Sequence, residues 1–110
     1  MSSVEPRQGE RRILDEDCAE ENLKNGILTL TNQRILFERT EGTLLTFSKK
    51  TRGVLLDIPL EKIISVKAEG FIVTKFIIAT ADDVYKFGVY SNSKWAKATK
   101  EQIDALKKPT

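Results

Sequence analysis

Apolar and polar side chains alternate along much of residues 26–90, and this pattern predicts a chain built mainly from β-strands. The runs 27–31 and 34–38 are short, rich in β-formers and separated by two polar residues, which predicts a hairpin. Asn32 suits its tight turn because Asn tolerates positive φ. One face of the hairpin is expected to be core and carries Leu28, Leu30, Ile35 and Phe37.

Five further strands bring the predicted total to seven. Residues 11–22 contain only two large aliphatic residues, Ile13 and Leu14, too few for the apolar stripe of a helix, so a strand is predicted there. The other four predicted strands are 54–60, 64–69, 75–81 and 84–90. Shared faces are expected for Ile64, Val66 and Ala68 in one of them, and for Tyr85, Phe87 and Val89 in the last.

Connections between these strands are predicted from their Gly, Asp and polar residues. Residues 40–53 are expected to form a long loop or a protruding hairpin, and both Gly70–Thr74 and Asp82–Asp83 are expected to form turns. Residues 1–9 have no periodic apolar pattern and predict a flexible lead-in, followed by one domain over residues 10–110.

After Tyr90 the apolar period becomes helical. Ser91, Asn92 or Ser93 is expected to cap a helix that Pro109 ends. One side of it carries Trp95, Ala98, Thr99, Ile103 and Leu106. Seven short strands need a cover for their apolar face, so the predicted fold is mainly β: a bent sheet or barrel closed by one C-terminal helix.

Composition narrows the class of function. The 110 residues are 40% hydrophobic and 31% charged, which is typical of a single globular domain, and the net charge of +2 is too balanced for a general nucleic-acid binder. Cys18 is the only cysteine, so an intramolecular disulfide is excluded and a reducing compartment is favoured. The chain has no apolar run of about 18 residues, and residues 1–8 have no signal-peptide core. A cytoplasmic location is therefore expected, either free or attached to the periphery of a membrane.

Catalysis is not expected from this inventory of side chains. The chain has no His, one Cys without a base to activate it, and no Gly-rich loop that would cradle a phosphate. The paired acids Asp82 and Asp83 are explained by turn formation. No cofactor or metal is therefore predicted.

The segment Gly26–Glu38 reads Gly-Ile-Leu-Thr-Leu-Thr-Asn-Gln-Arg-Ile-Leu-Phe-Glu and resembles the signature of bacterial PH and GRAM domains. Asp57–Ile63 is similar to the Ile-Pro-Leu-x-x-Ile segment of the same families, and the resemblance extends over about residues 10–107 with the Trp-bearing terminal helix. It implies a seven-stranded, strongly bent sheet in two near-orthogonal halves. The chain also looks like the GLUE branch found in the ESCRT-II membrane-sorting complex, whose members bind phosphoinositides and in some cases ubiquitin.

Cationic and apolar residues occur together in and beside the predicted loop at 40–53. The bases are Arg39, Lys49, Lys50 and Arg52, and the apolar residues are Leu44, Leu45 and Phe47. A peripheral membrane binder combines these features, since charge attracts an anionic surface and an apolar side chain such as Phe47 inserts. The alternative is that the three apolar residues extend a strand into the core while the bases stay solvated.

Two other candidate sites have structural alternatives. Phe71, Ile72 and Val73 form either an exposed apolar patch for a protein partner, such as ubiquitin, or the buried start of a strand. Arg34 either contacts a ligand or, as its planar fork of donors favours, satisfies backbone carbonyls or a nearby acid.

The leading hypothesis is a non-catalytic PH-like adaptor domain that binds a membrane surface or a phosphoinositide-type acidic lipid. The alternative is a GLUE-type protein-interaction module that binds ubiquitin or a subunit of an ESCRT-like complex. A structural spacer within a larger assembly is a third possibility.

Overall fold

A computed structural model describes residues 6–20, 24–41, 50–70 and 72–107. The strands are β1 Arg12–Glu20, β2 Lys24–Thr31, β3 Arg34–Glu41, β4 Lys50–Pro59, β5 Ile63–Glu69, β6 Lys75–Thr80 and β7 Val84–Gly88. A short 3-10 helix, Leu60–Lys62, joins β4 to β5, and the helix α1 spans Asn92–Lys107. The seven predicted strands and the terminal helix are thus confirmed, including the strand predicted over residues 11–22.

All seven strands belong to one antiparallel sheet in the order β4-β3-β2-β1-β7-β6-β5. β1 pairs with β2 along most of its length, whereas β7 meets only the last part of β1, at Ala19 and Glu20. The sheet therefore passes from its β1–β4 half to its β5–β7 half at the C-terminal end of β1.

The core lies between these two halves. Leu28, Leu30, Ile35 and Phe37 are completely buried, as the alternation predicted. Phe37 packs against Phe87 at a ring-centroid distance of 5.7 Å, and Phe87 lies 6.2 Å from Phe76. Phe76 in turn lies 5.6 Å from the ring of Trp95. A continuous row of aromatic rings thus joins β3 to α1, and each such contact adds about 0.5–1.5 kcal/mol beyond area burial.

Helix α1 packs on β5, β6 and the 3-10 helix. It begins at Asn92, whose side-chain oxygen accepts the N–H of Ser93 (2.9 Å) while its amide donates to the carbonyl of Glu69 (2.9 Å). Trp95 and Thr99 are buried, but Leu106 in the last turn is largely exposed. Within the described part of the chain, no helix combines the length and apolar character needed to cross a bilayer.

The shared face predicted for Ile64, Val66 and Ala68 is wrong for Ile64. Val66 and Ala68 pair with the buried residues Ile78 and Phe76 without a register shift between them, whereas Ile64 is 70% exposed. The pairing of β5 with β6 shifts between Ile63 and Ser65. Such a bulge breaks the strict alternation of side chains, so Ile64 points away from the core.

Candidate functional site

A cavity of about 640 Å³ lies at one end of the sheet, where the end of β1, the start of β2 and the end of β7 meet the turn between β5 and β6. We call this region the open end. Its wall combines small or apolar residues, among them Cys18, Gly26, Gly88 and Val89, with the polar residues Asp17, Asn25 and Thr74. This volume is in the range of ordinary ligand sites, about 300–1,000 Å³.

The rim of this cavity carries three strongly exposed apolar or aromatic side chains: Ile72 (96% exposed), Val73 (67%) and Tyr90 (93%). The turn that presents Ile72 and Val73 begins at Gly70, whose φ of +91° few other residues adopt. The exposed alternative is therefore confirmed for Ile72 and Val73, while Phe71 lies outside the described residues. Their role in binding a partner stays a prediction.

The backbone register brings the cationic positions to the same end of the sheet. Arg39 is exposed and pairs with Gly26, which lines the cavity. On the neighbouring strand, Lys50 pairs with Glu41 beyond Arg39, and Arg52 follows two residues later. Lys49, Phe47, Leu44 and Leu45 lie outside the described residues, so their two alternatives stay open.

Arg34 lies at the opposite end and is engaged in ion pairs. Its guanidinium donates from Nε and Nη2 to the two carboxylate oxygens of Glu10 (2.7 and 2.9 Å) and from Nη1 to Asp57 (2.8 Å). The residue is only 4% exposed. The structural interpretation of Arg34, pairing with a nearby acid, is confirmed.

These contacts shift the pKa values of both Glu10 and Arg34. Hydrogen bonds from Arg34, with smaller contributions from Arg7 and Thr31, outweigh the effect of burial and lower the pKa of Glu10 from 4.5 to about 2. The hydrogen bond to Glu10, together with Asp57, raises the pKa of Arg34 above its ordinary value. The cluster is a structural ion-pair network rather than a proton-transfer site.

The same cluster attaches the residues before β1 to the turn between β2 and β3. Glu10 accepts the backbone N–H of Arg7 (2.9 Å), Asn32 donates to the carbonyl of Gly9 (3.0 Å), and Gln33 donates to that of Gln8 (2.9 Å). The sequence pattern did not reveal these bonds because Gln8 and Gly9 contribute only backbone carbonyls. We call this region, with the 3-10 helix and the turn between β6 and β7, the far end.

Metal binding and cysteine chemistry have little support among the residues that the structure describes. No group of three His, Cys, Asp or Glu side chains there is placed to hold a metal ion. Cys18 is buried in the cavity wall. The candidate binding site is the open end, where the cavity lies beside the exposed side chains of Ile72, Val73 and Tyr90.

No protein-family model matches the chain, and no curated protein matches its sequence. Among solved structures, the solution structure of the N-terminal PH domain of the human ARAP2 protein is similar, with a TM-score of 0.57 and 13% sequence identity. The match covers 99% of this chain and 91% of that domain. The fold is therefore PH-like, as predicted, while membership of the GRAM or GLUE branch stays a prediction.

Proposed function

We propose that this chain is a non-catalytic binding module that docks on a membrane surface rich in acidic lipid, phosphoinositides included, through its open end. One observation carries the proposal: the register of β2, β3 and β4 brings the positions of Arg39, Lys50 and Arg52 to the end at which Ile72 is exposed. Cations beside exposed apolar side chains are the combination that peripheral membrane binding requires.

The expected attachment is weak and reversible. Each Lys or Arg near an anionic leaflet contributes on the order of 1 kcal/mol, so three bases supply about 3 kcal/mol before any apolar insertion. Added salt screens attraction between charges over a Debye length of about 8–10 Å. Binding is therefore expected to fall steeply between low and physiological ionic strength.

Co-sedimentation with vesicles rich in phosphatidylserine or a phosphoinositide tests this proposal. The triple variant Arg39→Glu, Lys50→Glu, Arg52→Glu is expected to lose at least about tenfold in affinity. The matched control, Arg11→Glu, Lys62→Glu, Lys107→Glu, makes the same change in net charge at the far end, where all three side chains are exposed. It is expected to keep most of the binding.

Two results would count against membrane docking through the open end. The first is that the unmodified chain fails to bind acidic vesicles at low salt. The second is that the two triple variants lose affinity equally, which would mean that net charge alone, and not the open end, governs the attraction.

A second candidate function is recognition of ubiquitin or of another protein subunit, as in GLUE domains. The observation in its favour is the exposure of Ile72 and Val73, because adjacent exposed apolar side chains mark protein-interaction surfaces. In a titration of isotope-labelled chain with ubiquitin, shifts confined to the open end would support this candidate. An unchanged spectrum at high ubiquitin concentration would remove it.

A further inference from the structure

Resting on the proposed function, we infer that the turn between β5 and β6 is the membrane-inserting element. Ile72 and Val73 enter the acyl region, Tyr90 lies at the level of the headgroups, and the open-end cavity faces the bilayer. Attachment then depends on surface charge and insertion, and no single phosphorylated headgroup is recognised.

The first support is the exposure of the turn. Ile72 is 96% exposed and Val73 67%, so both side chains project into water at adjacent positions. Transfer of such side chains from water to an apolar phase is favourable in proportion to the area removed from water. An acyl layer provides that phase without requiring a complementary protein surface.

The second support is that the turn is held in place before it meets a membrane. The hydroxyl of Thr74 donates to the carbonyl of Val89, and the Asn92 amide donates to the carbonyl of Glu69. Thr74 is thus bonded to Val89, just after β7, and Glu69 to Asn92, the first residue of α1. A preorganised tip loses little conformational entropy on insertion, which favours binding.

The third support is the position of Tyr90. Tyr90 is 93% exposed, although the preceding Val89 is buried. Its backbone N–H donates to the Glu16 carboxylate (2.8 Å), which fixes the chain at that point. Tyrosine combines an apolar ring with a polar hydroxyl and is enriched at the membrane–water interface, so Tyr90 on the cavity rim suits the headgroup level.

The cavity itself argues against capture of a headgroup phosphate. Tight phosphate sites use Arg or Lys side chains that converge on the anion. In the described part of the cavity wall, Asp17 is the charged residue and Cys18, Gly26, Gly88 and Val89 are among its other members. Instead, the cationic positions Arg39, Lys50 and Arg52 lie along β3 and β4. There they are attracted by the overall negative charge of the membrane surface.

Two tryptophan reporters test the insertion directly. Ile72→Trp places an indole on the turn, and Ile64→Trp places one on the same strand pair at the far end, where Ile64 is 70% exposed. The native Trp95 is buried and forms a common background. With vesicles whose acyl chains carry bromine, the emission of the Ile72→Trp variant is expected to shift to the blue and be quenched, while that of the Ile64→Trp variant stays unchanged.

Headgroup recognition is tested with vesicles matched in surface charge. Vesicles containing phosphatidylserine and vesicles containing a bisphosphorylated phosphoinositide are expected to bind within about threefold of each other, and a soluble inositol phosphate is expected not to compete. A preference of about tenfold or more for the phosphoinositide overturns the inference.

The remaining outcomes separate this inference from the proposed function. Binding to acidic vesicles without quenching of the Ile72→Trp reporter, or with quenching of the Ile64→Trp reporter, overturns insertion by the turn and leaves membrane binding intact. No binding of the unmodified chain to either vesicle overturns the proposed function itself. Val73→Trp is a second reporter on the same turn and should repeat the result of Ile72→Trp.

Discussion

Glu16 on β1 and Trp95 on α1 are joined by a hydrogen bond in which the indole Nε1–H donates to the carboxylate over 3.3 Å. The other carboxylate oxygen of Glu16 accepts the backbone N–H of Tyr90 at 2.8 Å. One side chain therefore attaches both the beginning of the helix and the rim of the open end to β1.

Replacing Glu16 by Ala is expected to lower the free energy of unfolding by about 1–3 kcal/mol, because the buried indole N–H loses its acceptor. Urea unfolding followed by circular dichroism measures the change. Asp15→Ala is the control, since Asp15 makes an exposed ion pair with Arg12 (3.2 Å), worth at most about 1 kcal/mol. Equal losses in the two variants would contradict a specific role for Glu16.

Replacing Arg34 by Ala is expected to be more damaging, by about 3–5 kcal/mol, because it leaves the Glu10 carboxylate buried without its cation. Arg34→Lys should also destabilise, since an ammonium group cannot reproduce the fork that contacts Glu10 and Asp57 together. Vesicle affinity at temperatures where the variants are folded should not change. Reduced affinity with unchanged stability would instead support the alternative that Arg34 contacts a ligand.

Acid is expected to destabilise the protein through Glu10. Its pKa is about 2 in the folded chain and near 4.5 when the chain is unfolded, so the unfolded state binds a proton first as the pH falls. The stability that Glu10 contributes is therefore complete above pH 4.5 and is lost between about 4.5 and 2. Urea midpoints across this range should fall less steeply for Glu10→Gln than for the unmodified chain, and parallel curves would refute the assignment.

Period-two patterning was sufficient to predict the core of the hairpin. Leu28 and Leu30 face Phe37 and Ile35 because β2 and β3 pair without a register shift. Where the register shifts, as between Ile63 and Ser65, the same rule placed Ile64 on the wrong face. The position of a bulge is set by how two strands pair. The sequence of one strand alone does not reveal it.

The proposed binding surface was predictable from the sequence only in separate parts. Arg39 and Ile72 were separate candidates in the sequence, and only the strand order, in which β7 joins β1, brings their segments to one end. The turn at Ile72 was ambiguous because adjacent apolar residues suit both an exposed tip and the start of a strand. Arg34 was predicted to satisfy backbone carbonyls or a nearby acid, but its acidic partners lie 24 residues before it and 23 after it, beyond the reach of local patterns.

Gly26 is expected to tolerate no side chain, because a Cβ there would lie 2.6 Å from Cζ of Phe37 and against the carbonyl oxygen of Glu38. Since the carbonyl belongs to the paired strand, β2 and β3 would have to separate, so Gly26→Ala should lower the free energy of unfolding by about 1–3 kcal/mol. Gly88→Ala is the matched control at another wall of the same cavity, where the nearest atom, the Ala19 oxygen, is 3.5 Å away. It should change stability by less than about 1 kcal/mol. Urea unfolding of the two variants side by side measures both effects, and a stable Gly26→Ala variant would show that the hairpin is looser at the open end than its packing indicates.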